Sequence, residues 1–278
     1  MKLKFAGIRR KTEFSPNHEM NDLAIINCTA ENLIKQGADV TLYDEDSISP
    51  GTIKEDLIFS MVQGPKGIQD LFRISEERAC LIINSPGSVY SCYRFNMLKL
   101  LSKGGIPTPK SILTPTGVTL NGQINEFTSE RLWVKRGDVH AVRKEDVISV
   151  AADREEISTK LEEFHRRSID RVILQEDVKG DTVKFYAVRE SGFFYWYYLS
   201  NNFNTCFDEN ALRQLSEASA SILGLYVYGG DAIITRDGSI IIIDINDWPS
   251  FAPIREEAGY NISKLLLEKG REFVNSRL

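Results

Sequence analysis

The stretch Gly229-Gly230-Asp231-Ala232-Ile233-Ile234 and its follow-on Ile241-Ile242-Ile243-Asp244-Ile245-Asn246 limit what this chain can fold into more than any other feature. Both runs are dominated by β-branched apolar residues, and Arg236-Asp237-Gly238 lies between them, which predicts two antiparallel strands joined by a tight turn. Strict alternation sets Asp244 and Asn246 on one face, and the hairpin brings Asp231 near the same face. Two carboxylates and an amide oxygen inside an isoleucine-rich sheet are costly unless a cation accompanies them. An all-oxygen set suits Mg²⁺, which takes one or two carboxylates together with phosphate oxygens. The alternative is a polar turn with solvated acids, but acids flanked by isoleucines are poorly placed to reach water.

At 278 residues the chain is long enough for about two domains on a prior of ~150 residues each. Its first hundred residues alternate strand and helix. Leu3–Ile8, Ala38–Tyr43, Asp56–Ser60 and Leu81–Asn84 read as strands; Asp22–Gln36 and about Val89–Ser102 read as helices. That rhythm predicts a parallel sheet flanked by helices, with ligands at the C-terminal strand ends, where Arg9-Arg10-Lys11 and Asn84-Ser85-Pro86-Gly87 lie. The rhythm changes after Gly104-Gly105-Ile106-Pro107-Thr108-Pro109. Beyond it come mostly strands, helices over about Ser158–Arg166 and Glu209–Leu223, and an amphipathic helix within Phe251–Leu278. The predicted class is α/β.

Lys plus Arg is 34 against 39 for Asp plus Glu, a net charge of −5, which argues against a nucleic-acid partner. No run approaches the ~20 apolar residues of a membrane span. Cys28, Cys80, Cys92 and Cys206 have no CxxC spacing, and with His18, His140 and His165 far apart this predicts reduced thiols, no zinc centre and a cytoplasmic location.

Three further elements carry chemistry. Lys135 ends the apolar strand Leu132-Trp133-Val134-Lys135 and opens the polar loop Arg136-Gly137-Asp138-Val139-His140, a placement suited to gripping phosphate, although a lone strand-end lysine is most often solvated. Val172-Ile173-Leu174 runs into Gln175-Glu176-Asp177-Val178, a turn able to offer backbone groups to an adenine edge. Lys184 interrupts a strand with apolar odd-numbered neighbours; a solvent-facing lysine is the alternative.

Taken in this order, these elements resemble the ATP-grasp superfamily over most of the chain, with a clamp like that of glutathione synthetase and the ribosomal-protein-modification ligases and features of the inositol-phosphate kinases. The resemblance implies a parallel-sheet pre-ATP-grasp domain over 1–106, a small ATP-grasp lobe over 107–178, and a large lobe with the metal site over 179–278. It implies ATP and Mg²⁺ as cofactors. Lys135 and Lys184 would hold phosphates, Gln175, Glu176, Asp177 and Val178 would receive adenine, and Asp231, Asp244 and Asn246 would bind Mg²⁺. Many relatives carry a lysine in the helix after the Asn84 turn; here Arg94 is the nearest cation. The glycine-rich loop is short, so Arg136 and His140 would close over the γ-phosphate. Ser250, after the metal strand, would touch an acceptor, whereas Trp248 and Phe251 read as packing. Tyr195-Trp196-Tyr197-Tyr198 reads as core with one ring lining the cleft.

Two reactions compete. A ligase would join a carboxylate to an amine through an acyl phosphate, and this is preferred on how common it is in the superfamily. A kinase would phosphorylate a hydroxyl of an anion such as an inositol phosphate, for which Arg9, Arg10 and Lys11 would bind substrate. A solvated loop is the alternative reading of that cluster. Ser15-Pro16-Asn17-His18 would add backbone N–H groups for an anion or serve as plain N-cap chemistry. The expected partners are a small-molecule or peptide acceptor and a second copy in a homodimer, with no nucleic acid and no membrane.

Overall fold

The computed structural model describes residues 2–15, 18–118, 126–138 and 144–277. The N-terminal part contains β1 (Lys4–Arg9), α1 (Glu19–Lys35), β2 (Asp39–Asp44), β3 (Leu57–Ser60), α2 (Pro65–Glu77) and β4 (Leu81–Ile83). Its strands are all parallel, in the order β2-β1-β3-β4. β3 is buried along its whole length, as a strand covered on both faces must be.

The helix expected over Val89–Ser102 is two helices, α3 (Pro86–Ser91) and α4 (Arg94–Lys103). Tyr93 breaks the run with an extended backbone (φ −61°, ψ 129°). It buries its ring against the N-terminal sheet and donates its hydroxyl to the Gln63 carbonyl at 2.9 Å. α4 is then free to pack on a different core, and Arg94 becomes its first residue.

A second sheet holds β5 (Ser111–Pro115), β6 (Arg131–Arg136), β7 (Val147–Ala151) and β8 (Arg171–Glu176), antiparallel in the order β5-β8-β6-β7. One face is apolar: Leu132, Val134 and Leu174 pack onto Ile157, Leu161 and Phe164 of α5 (Arg154–Arg166). The third sheet holds β9 (Asp181–Val188), β10 (Phe193–Ser200), β11 (Val227–Ile234) and β12 (Ile240–Asp247), antiparallel in the order β10-β9-β11-β12. α4 and α6 (Glu209–Leu223) cover its back.

The last helix, α7 (Arg255–Asn275), departs from the expected division at 179–278. It packs on α1, and its Ala258, Ile262 and Leu265 share a core with Phe5, Ile25 and Phe59 of the N-terminal sheet. The chain therefore closes on its own beginning. Buried polar side chains tie that sheet to the third one, Asn84 and Arg10 among them. Asn84, fully buried, donates to Val227 O at 2.7 Å and accepts from the N–H groups of Tyr226 and Val227. Arg10 reaches the carbonyl oxygens of Asp247 and Trp248 from the end of β1. Among the described residues no helix is long and apolar enough to cross a membrane.

Candidate active site

Antiparallel register turns the cleft face of the third sheet into rows running across β10, β9, β11 and β12. One row is Tyr197–Lys184–Asp231–Asp244, each residue directly opposite the next. The row beyond it is Tyr195–Tyr186–Gly229–Asn246, and the one after that, Phe193–Val188–Val227, is buried beneath the N-terminal sheet together with Trp248, whose N–H donates to Val227 O at 3.1 Å just past β12. Asp231 opposes Asp244 only because β12 carries a bulge. Ala232, Ile233 and Ile234 pair with Ile242, Ile241 and Ile240, after which Ile243 is skipped and Asp231 meets Asp244. An unbroken ladder would have set Asp231 against Ile243 and turned Asp244 to the other face.

In this row Lys184 Nζ lies 2.9 Å from Asp231 Oδ1. Burial works against the Lys184 charge, but Asp231 outweighs it and the ammonium is held above its ordinary pKa. Burial pushes the Asp231 carboxyl up, Lys184 pulls it down, and Asp244 pushes it up again. Asn246 Nδ2 is 3.5 Å from Asp244 Oδ2, so the three expected oxygen carriers share one face.

The second sheet supplies the opposite wall. Alternation along β6 sends Leu132 and Val134 into the α5 core and Trp133 and Lys135 into the cleft. Lys135 Nζ donates to Gln175 Oε1 at 2.5 Å, and Gln175 Nε2 donates to Ser111 Oγ at 2.9 Å. Burial, with help from the Arg94 charge, pushes Lys135 down to about 8, although Asp244, Asp231 and Asp177 pull the other way. Trp133 donates its indole N–H to Asp177 Oδ1 at 3.0 Å, which fixes the ring beside the turn after β8. The cleft between the walls has a volume of about 480 Å³, with Trp133, Val147, Ile233 and Ile243 as its apolar surfaces and the Gln175–Gly180 turn along its edge.

No protein-family model and no curated protein matches the sequence. Solved structures do match the fold. D-alanyl-alanine synthetase A from Vibrio cholerae superposes with a TM-score of 0.72 at 12% identity, over 98% of this chain and 98% of its own. A RimK domain ATP-grasp protein from Sphaerobacter thermophilus gives 0.70 at 16% identity, over 95% and 100%. The ATP-grasp ligase PsnB, solved with precursor peptide PsnA2 and AMPPNP, gives 0.63 at 17% identity, over 97% of each chain. The chain has the ATP-grasp fold.

The expected residues fall into two groups around the ATP-grasp cleft. Lys135, Gln175, Asp177, Lys184, Asp231, Asp244 and Asn246 face it or line it. Arg94 joins them: its Nη2 is 3.9 Å from Asp244 Oδ2 and its Nη1 donates to Arg136 O at 2.9 Å. The backbone of Val178 makes no hydrogen bond to another described residue and stays available at the cleft edge.

The other group is placed elsewhere. Arg136 follows Lys135, so its side chain falls on the α5 face, where it pairs with Asp138 at 2.6 Å. It therefore does not close over phosphate as the short loop suggested. Glu176 stays at the cleft edge with the rest of its turn, but its carboxylate turns outward to accept from Thr128 N and Oγ1 at 2.8 and 3.0 Å. The basic cluster at 9–11 is spent on local partners. Arg9 pairs with Asp44 at 3.1 Å, Lys11 with Glu13 and Asp46, and buried Arg10 with Asp22 at 2.7 Å. The 600 Å³ hollow these residues border also contains Asp22, Asp44, Glu45 and Asp46, so it is not a polyanion site. Ser250 is half-buried beyond the strained turn at Trp248 (φ 37°). Trp248 and Phe251 are fully buried core. His140, Val139, Pro16 and Asn17 lie outside the described residues.

Asn202 and Phe203 were not foreseen in the sequence. They enter the cleft because Asp181 accepts the backbone N–H of Phe203 at 2.9 Å and of Thr205 at 3.1 Å, folding that loop over the strand ends. Trp133 was legible in principle, since it stands two residues before Lys135.

Proposed function

We propose that the chain is an ATP- and Mg²⁺-dependent ligase that joins a carboxylate to an amine through an acyl phosphate. The observation that carries this reading is the row Lys184–Asp231–Asp244 facing Lys135 and Arg94 across one cleft. The donor set fits Mg²⁺. Asp231, Asp244 and Asn246 offer only oxygen, the two acids oppose each other, and among the described residues no third histidine, cysteine or acid joins them. Such a partial shell leaves room for phosphate oxygens. The ion would supply charge neutralisation on the terminal phosphates when bound.

The chain's own side chains divide the remaining work. Trp133, Ile233 and Ile243 sandwich the base, and the free Val178 backbone offers it a hydrogen-bonding edge. Lys135, Lys184 and Arg94 hold phosphate oxygens as charge spreads over the transferring group. The substrate carboxylate oxygen attacks the γ-phosphorus and the β,γ-bridging P–O bond breaks to release ADP. The amine then attacks the acyl carbon, loses a proton and expels inorganic phosphate. Pairing of Arg9, Arg10 and Lys11 with acids, and the outward Arg136, favour this reaction over phosphorylation of an inositol phosphate.

Hydroxylamine trapping tests the reading. With MgATP and a mixed set of amino acids and short peptides, a hydroxamate should form together with ADP. ADP release with inositol phosphates and no hydroxamate would replace the ligase by the kinase.

A further inference from the structure

In the row Tyr195–Tyr186–Gly229–Asn246 only Asn246 is used by metal in this reading, and the row lies two residues along each strand from Lys184, Asp231 and Asp244. At the rise of a β-strand that is about 7 Å beyond the phosphate-binding row, the distance at which a group bonded to the γ-phosphorus would extend. The following row is covered by the N-terminal sheet, so this one borders the last open part of the cleft face.

Its surface is aromatic and neutral. Tyr186 is buried, 5.2 Å from the Phe251 ring and 6.3 Å from Tyr197 between centroids. Burial raises the Tyr186 hydroxyl above its ordinary pKa, and its hydrogen bond with Tyr197 acts in the same direction, so the row bears no charge at neutral pH. Tyr195 and Tyr197, 6.0 Å apart, remain half-buried. Their rings are partly exposed apolar area at the β10 side of this face. Lys184, the cation opposite Tyr197, is held by Asp231.

We infer that Tyr195 and Tyr197 form the wall that selects the substrate, admitting an amino acid or peptide residue with an aromatic or aliphatic side chain and rejecting acidic or phosphorylated ones. The inference rests on the ligase reading and names what that ligase takes. An apolar side chain would cover the two rings at little desolvation cost, whereas a carboxylate or phosphate there would lose water without gaining a cation. The amine itself gains from the ring faces, which attract a cation before it loses its proton.

The test is ADP release with MgATP and four groups of amino acids and dipeptides: aromatic, aliphatic, acidic and phosphorylated. Aromatic and aliphatic members should turn over. Tyr195→Ala should raise their KM about tenfold or more, Tyr195→Phe should restore it to within about threefold, and AMPPNP affinity by calorimetry should stay within about twofold in both. Turnover confined to acidic or phosphorylated members, turnover of none while AMPPNP binds, or an unchanged KM in Tyr195→Ala would overturn the inference. Failure of the ligase reading shows separately, as absent AMPPNP binding or as ADP release without hydroxamate in the wild-type protein.

Discussion

Lys135 should make nucleotide binding fall away on the alkaline side of neutrality. Its ammonium is buried between the two sheets, touches Gln175 Oε1 at 2.5 Å, and titrates near 8 because burial and the Arg94 charge outweigh Asp244, Asp231 and Asp177. A bound phosphate favours the charged lysine, so the complex keeps the proton that the free protein loses above that pH. The free protein holds it in about nine molecules of ten at pH 7 and about one in ten at pH 9, which weakens binding about tenfold between them. Calorimetric Kd values for AMPPNP with Mg²⁺ at pH 7, 8 and 9 would show the slope. Lys135→Arg should flatten it, since a guanidinium stays charged throughout. A flat wild-type profile, or a slope that persists in Lys135→Arg, refutes the reasoning. The same depression has a stability consequence of opposite sense. The folded pKa lies below the unfolded 10.5, so the folded chain binds fewer protons between about pH 8 and 10.5, and stability rises with pH across that window. At pH 7 the buried charge is a net cost. Lys135→Met should therefore stabilise the ligand-free protein, by about 1–2 kcal/mol after allowing for the part of the side chain that stays in solvent.

Asp244→Asn should abolish the gain in AMPPNP affinity that Mg²⁺ gives, because one of the two opposed carboxylates is lost; an undiminished Mg²⁺ effect in calorimetry would remove Asp244 from the metal site. Asn84→Ala strips three hydrogen bonds from a fully buried junction and removes the side-chain acceptor of the Tyr226 and Val227 N–H groups. A loss of about 3–5 kcal/mol, seen as a Tm lower by about 10 °C, is the expected result, and a shift under about 2 °C would show that the junction is not a tether. Arg136→Ala should leave AMPPNP affinity within about twofold, since the side chain sits on the α5 face; a tenfold loss would return it to the cleft.

Local pattern carried much of this protein. Apolar runs such as Leu57–Phe59 read as strands covered on both faces, and α6 was legible over Glu209–Leu223. Period-two alternation placed Lys135 apart from Leu132 and Val134, and acids within an isoleucine run pointed to the polar row of the third sheet. Arg136 was misread although the same alternation was available: a basic residue beside the lysine expected to hold phosphate looks like a partner, yet neighbours on a strand face opposite ways. The cluster at 9–11 looked free because its counter-charges, Asp22, Asp44 and Asp46, come from other elements.

Which residues would line each face, strand by strand, followed from the order of side chains. The pairing of those strands did not. Counting back from the Arg236–Gly238 turn sets Asp231 against Ile243 and puts the two acids on opposite faces; the extra residue of the bulge brings Asp244 round to Asp231. Nothing local demands that bulge. It forms where β9, β11 and β12 assemble, so that Lys184, Asp231 and Asp244 can meet in one row while Ile242 and Ile245 stay in the core behind them. Side-chain order is written along the chain, whereas register is a property of several strands packing at once.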